Sequence, residues 1–89
     1  MLEEKVTIIN PLGLHARATA QLVRVAASFQ SKVTIIRSET VFADAKSILS
    51  ILAMAARKGT ELTLRAEGPD ENEAVDAIRQ LFADGFGEF

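Results

Sequence analysis

The 89-residue chain is long enough for one modest hydrophobic core and shows no compositional sign of a second unit, so a single domain over residues 1–89 is expected. Its 48% hydrophobic and 25% charged residues exclude a disordered or fibrous chain, and a formal charge of -2 with a pI near 5.3 gives nucleic acid no overall attraction. Without cysteine there is neither a disulfide framework nor a thiolate metal site; no apolar run approaches a membrane span, the charged start Met1 to Lys5 does not read as a signal peptide, and the cytoplasm is the expected location.

From Lys5 to Ile9, Val6 and Ile8 alternate with Lys5 and Thr7, the period of a half-buried strand. Asn10, Pro11 and Gly13 then turn the chain out of the sheet, so that His15, the only histidine, is reached on a loop just before a helix. Between Ala16 and Phe29 the stripe Thr19, Leu22, Val23, Ala26, Phe29 recurs at helical spacing, opposite Arg17, Gln21, Arg24 and Ser28. The β-branched run Lys32 to Arg37 predicts a second strand, and Ser38 to Thr40 a connection into a short third strand around Val41 to Ala43. Ser47 to Arg57 is rich in helix formers and is predicted to end before Gly59, with Arg57 and Lys58 near its negative end. A fourth strand alternates from Glu61 to Ala66. After Gly68 and Pro69, Asp70 and Glu73 have the spacing of a capping box for a last helix striped by Ala74, Ile78, Leu81 and Phe82 and stopped by Gly85. This β-α-β-β-α-β-α order predicts an α+β fold: a two-layer open-faced sandwich in which a four-stranded antiparallel sheet is covered on one face by three helices.

His15 is an odd choice at a helix start. A cap serving stability alone would be Ser, Thr, Asp or Asn, whose short side chain accepts from an orphan backbone N–H. Helix N-termini offer free N–H donors and partial positive charge, which suit a phosphoryl group attached to the ring, and neutral imidazole is nucleophilic near pH 7. Arg17, two residues on, has a permanently charged fork that can hold phosphoryl oxygens, and Gly13 permits the tight turn that exposes the ring. No acid, base or metal accompanies them to commit the site to hydrolysis. Taken singly, His15 and Arg17 read as ordinary solvated surface residues.

The string Gly13-Leu14-His15-Ala16-Arg17 resembles the active-site signature of the HPr family, Gly-Leu-His-Ala-Arg-Pro-Ala, and the element order agrees over essentially the whole chain. HPr proteins are histidine-containing phosphocarriers of the bacterial phosphoenolpyruvate-dependent phosphotransferase system. The resemblance implies a carrier, not an enzyme, without cofactor or metal. It implies that Nδ1 of His15 accepts a phosphoryl group from phosphorylated enzyme I and passes it to EIIA domains for sugar uptake or regulation, with Arg17 stabilising the phosphate. One position departs: Ala18 stands where the family has proline, so the fixed φ of the first turn is missing and a looser loop is expected.

Ile48, Leu49, Ile51, Leu52 and Met54 surround the second helix with apolar side chains, which so small a domain cannot bury on every side. The exposed remainder suits a protein contact, with Met54 adding adaptability. The resemblance implies that this helix, through Ile48, Leu49 and Leu52, joins the loop at Ala16 in docking enzyme I and EIIA. Arg17 and Arg24, on the polar face of the first helix, suit acidic partner surfaces. Ser47 sits where a helix cap belongs, and Ala45-Lys46-Ser47-Ile48 also resembles the family's regulatory serine, phosphorylated by HPr kinase/phosphorylase in organisms that have it. The chain is read as a monomer. A regulatory module that binds a metabolite or dimerises, and a small phosphatase of the acylphosphatase kind, are the competing readings. Sugar-type and nitrogen-type branches both stay open, the stretch Leu81 to Phe86 resembling the latter.

Overall fold

Alternation of apolar and polar residues builds the sheet. The structure, a computed structural model, describes residues 1–88. It runs β1 (Leu2–Thr7), α1 (Ala16–Ala27), β2 (Lys32–Ile36), β3 (Phe42–Asp44), α2 (Ile48–Ala53), β4 (Glu61–Glu67), α3 (Glu71–Ala83) and a 3-10 turn, Gly85–Gly87. The strands are ordered β1-β4-β2-β3 and every pair is antiparallel. The register opposes Val6 to Leu62, Ile35 to Leu64 and Val33 to Ala66, all of them buried. The other face carries Thr7, Lys5 and Arg65, whose Nε donates to Glu3 Oε2 across the β1–β4 pair at 2.7 Å, so it stays solvated.

The helices cover the first face. α1 turns Ala18, Thr19, Leu22 and Ala26 inward and α3 turns Ala74, Val75, Ile78 and Phe82 inward, as the 3.6-residue period requires. Burying each of the larger apolar side chains contributes about 1.5–3 kcal/mol, and strands and helices share one core cluster. The element order and the open-faced sandwich are those expected; β1 lies three residues nearer the N-terminus than its alternation predicts at the start, and two nearer at the end.

Two local expectations are corrected. α2 stops at Ala53, not at Arg57: Met54 and Ala55 N–H donate to Ile51 and Leu52 O at 3.1 and 3.0 Å, and Ala55 turns left-handed at φ 49°. Arg57 and Lys58 thus lie beyond the helix, and Gly59 is not its stop but donates to Ile8 O at 2.7 Å. The Arg37 guanidinium serves the helix end instead, donating to Met54 O at 3.1 Å. Nor does the Asp70/Glu73 capping box form. The Asp70 carboxylate accepts from the Gln30 and Ser31 N–H groups, each at 2.9 Å, and from the Ser31 hydroxyl, stitching the α1–β2 loop to the start of α3, while Glu73 is exposed.

The Ser31 hydroxyl first, and the Gln30 N–H next, hold the Asp70 carboxyl below its ordinary pKa of 3.8. Its stabilisation is therefore complete above pH 3.8 and is lost as the pH falls through the lower folded value. Urea denaturation at a series of pH values is expected to give Asp70→Asn a lower midpoint at neutral pH and a shallower acid limb than wild type. Parallel acid limbs in the two proteins would show that Asp70 titrates equally in folded and unfolded chains.

Candidate phosphoryl-transfer site

The loop that carries His15 is fixed by backbone contacts. Asn10, fully buried, donates from Nδ2 to Gly13 O at 2.8 Å, which closes the turn. Gly13 has φ 67°, and a Cβ there would lie 2.6 Å from Ala56 O, so only glycine lets the loop settle against the segment after α2. Leu14 N–H donates to that same carbonyl at 3.0 Å, its side chain is buried, and its own carbonyl takes the Thr19 hydroxyl at 3.1 Å. His15 follows as the N-cap of α1 in extended conformation, with its carbonyl accepting the Thr19 N–H at 2.9 Å.

A cap side chain would ordinarily bond back to the helix, and this one does not. Among the described residues the N–H groups of Ala16, Arg17 and Ala18 are consequently without an acceptor, a cluster of donors at the positive end of α1. The ring turns the other way: Nε2 lies 2.6 Å from Glu88 Oε2. That carboxylate also accepts from Asn10 Nδ2 at 2.8 Å and from Leu12 N–H at 3.3 Å. Burial pushes the Glu88 carboxyl up, but the hydrogen bonds from His15, Asn10 and Leu12 outweigh it and hold it below the ordinary 4.5, so it is ionised at neutral pH.

Glu88 reaches the loop because the chain reverses after α3. Gly85, Phe86 and Gly87 all have positive φ, 58°, 54° and 75°. For Phe86 this costs about 1–2 kcal/mol, offset by burial of its ring edge-on to Phe82 at 5.0 Å, while its carbonyl takes the Gln21 amide at 3.2 Å. Gly85 does follow α3 as expected. Glu88 was not legible as a site residue; two glycines flanking a phenylalanine were the one sign that the end of the chain could fold back.

Arg17 lies in the first turn of α1, exposed, and among the described residues no carboxylate pairs with it. Arg24, one face further along, is exposed in the last turn, and Ala16 is exposed beside His15. On α2, Ile48 and Leu49 are 44% and 80% exposed and Leu52 is half-buried, so the expected apolar patch exists, but Met54 is buried and adds nothing to it. Ser47 caps α2, its Oγ accepting from Ser50 N–H at 3.3 Å. A concavity of about 530 Å³ lies on the open sheet face around Phe42, Arg37 and Arg65 and includes no residue of the His15 loop. His15 itself, with a side chain 27% exposed, stands on the surface, where another protein can reach it.

The family model described as "PTS HPr component phosphorylation site" matches residues 2–84. The chain belongs to the HPr family. Phosphocarrier protein HPr of Cupriavidus necator is 49% identical over 99% of this chain and 98% of its own, and that of Xylella fastidiosa is 43% identical over the same shares. HPr-C-His from Thermoanaerobacter tengcongensis, a crystal structure, superposes with a TM-score of 0.94 over 100% of this chain and 99% of its own at 37% identity. This HPr-family chain is thus a phosphocarrier of the phosphotransferase system.

If the Gly13–Ala56 approach sets the loop, Gly13→Ala is expected to cost about 1–3 kcal/mol in urea denaturation and to displace the His15 ring signals in NMR. Wild-type stability in that variant would mean that the loop has other conformations of equal energy.

Proposed function

We infer that Nδ1 of His15 takes the phosphoryl group from enzyme I charged by phosphoenolpyruvate and hands it to EIIA domains, serving sugar uptake or regulation in the cytoplasm. The observation that carries this reading is the division of labour around the ring. Nε2 is engaged by Glu88, while among the described residues the three N–H groups of the α1 N-terminus have no acceptor and suit an anion. A phosphoryl group on Nδ1 would meet those donors and the positive end of the helix. Arg17 would close on its oxygens, its fork neutralising charge without supplying or removing a proton.

Transfer needs no further chemistry from the carrier. The Nδ1 lone pair forms the new bond to phosphorus as the bond to the donor breaks, and the reverse exchange loads the acceptor. The neighbouring apolar patch, Ile48, Leu49 and Leu52, with Ala16 beside the histidine, would seat both enzyme I and EIIA, Arg17 and Arg24 meeting acidic groups at its edge. A phosphate on Ser47, added by HPr kinase/phosphorylase where that enzyme exists, would place negative charge next to this patch and weaken docking.

Incubation with phosphoenolpyruvate, Mg2+ and cognate enzyme I is expected to add one acid-labile phosphoryl group by intact mass, absent in His15→Ala; no addition with a demonstrably active enzyme I would sink the reading. Arg17→Ala is expected to lower the transfer rate about 10-fold or more. Leu49→Asp is expected to raise the KM for this protein in the enzyme I assay by about 10-fold with the fold intact by circular dichroism. An unchanged KM would remove α2 from the docking surface.

A further inference from the structure

The site contains a group that phosphoryl transfer, as set out above, does not use. Glu88 is 73 residues from His15 in sequence, yet it makes the shortest contact to the ring, and its carboxylate is 13% exposed and tied down by two further donors. We propose that Glu88 is a positioning residue for the transfer: its carboxylate fixes the His15 tautomer with the proton on Nε2, orients the ring, and offsets the positive charge that the ring gains when Nδ1 is phosphorylated. The proposal rests on the carrier reading and deepens it.

The argument is one of donors and acceptors. An ionised carboxylate only accepts hydrogen bonds, so the partner nitrogen 2.6 Å away must carry the hydrogen. In the neutral ring the other nitrogen, Nδ1, then holds the lone pair and is the nucleophile. When that pair bonds to phosphorus, the bond to the donor breaks with its electrons going to the donor. No proton need leave Nε2, and the ring becomes a cation whose charge lies against an anion already in place. A buried carboxylate behind a nucleophile-activating or proton-moving histidine acts on the same physical basis in hydrolases, by holding tautomer and orientation and stabilising imidazolium. Here the group attacked is phosphorus, and the histidine itself is the nucleophile.

Three successive residues of positive φ bend the chain back, Phe86 anchors the bend in the core and Gln21 ties its carbonyl, so Glu88 is delivered by a braced strap and not by a free end. Asn10, which donates both to Gly13 O and to Glu88, joins that strap to the His15 loop.

Two measurements test this on the full-length protein. In the unphosphorylated wild type at neutral pH, a far-downfield proton resonance coupled to Nε2 of His15 is expected, absent in Glu88→Ala and moved upfield in Glu88→Gln, which keeps an acceptor but not the charge. Single-turnover phosphorylation by charged enzyme I is expected to slow about 10-fold in Glu88→Ala at unchanged half-saturation, with Glu88→Gln in between. If wild type accepts no phosphoryl group, the carrier reading itself fails. If wild type accepts it and Glu88→Ala does so equally fast, the positioning role alone fails, as it does if the Nε2 resonance is the same in wild type and Glu88→Ala.

Discussion

The first turn of α1 constrains everything around it. Among the described residues three N–H groups point out of a helix end with no acceptor, because the residue in the capping position makes no side-chain bond back to the helix. A cap of serine or aspartate would relieve this at a typical gain of about 1 kcal/mol. That forgone stabilisation is what keeps the helix end available to an anion. The surrounding structure compensates elsewhere: Leu14 is buried, Thr19 braces the Leu14 carbonyl, and the loop is fastened to the segment after α2.

Function follows from where this unsatisfied end is put. The helix layer buries the body of α1 against the sheet but leaves its start at the surface, with the preceding loop tied to the segment after α2. A pocket would suit a small substrate; a histidine at the surface, in a domain with exposed apolar side chains on α2 and two exposed arginines on α1, suits a protein that must reach it. The strap from Gly85 to Glu88 closes the ring's other side, so the histidine is open toward partners and held from behind.

Much of this was legible in the sequence because it is periodic or local. Val6 and Ile8, or Leu62 and Leu64, announce their sheet face by alternation, the α1 and α3 stripes announce theirs by spacing, and His15 stands out as a residue poorly suited to its position. What was missed depends on contacts between distant segments. Helix propensity runs on through Ala56, but Ala55 turns left-handed and the Ala56 carbonyl is taken by Leu14, from a segment about 40 residues away. Asp70 and Glu73 have the spacing of a capping box, yet Asp70 finds three donors in a loop about 40 residues away. Glu88 is one of many glutamates in the chain, and nothing next to it indicates that its partner is residue 15.

The tie between Leu14 and Ala56 has a wider consequence. It bolts the His15 loop to the segment after α2, a helix with exposed outer side chains, so the two cannot drift independently. On the proposed reading, a partner that grips α2 would find His15 placed to within the play of a single backbone hydrogen bond. The registration needed to line up two reacting groups is thus built into the carrier, and dissimilar proteins can share it by copying one footprint.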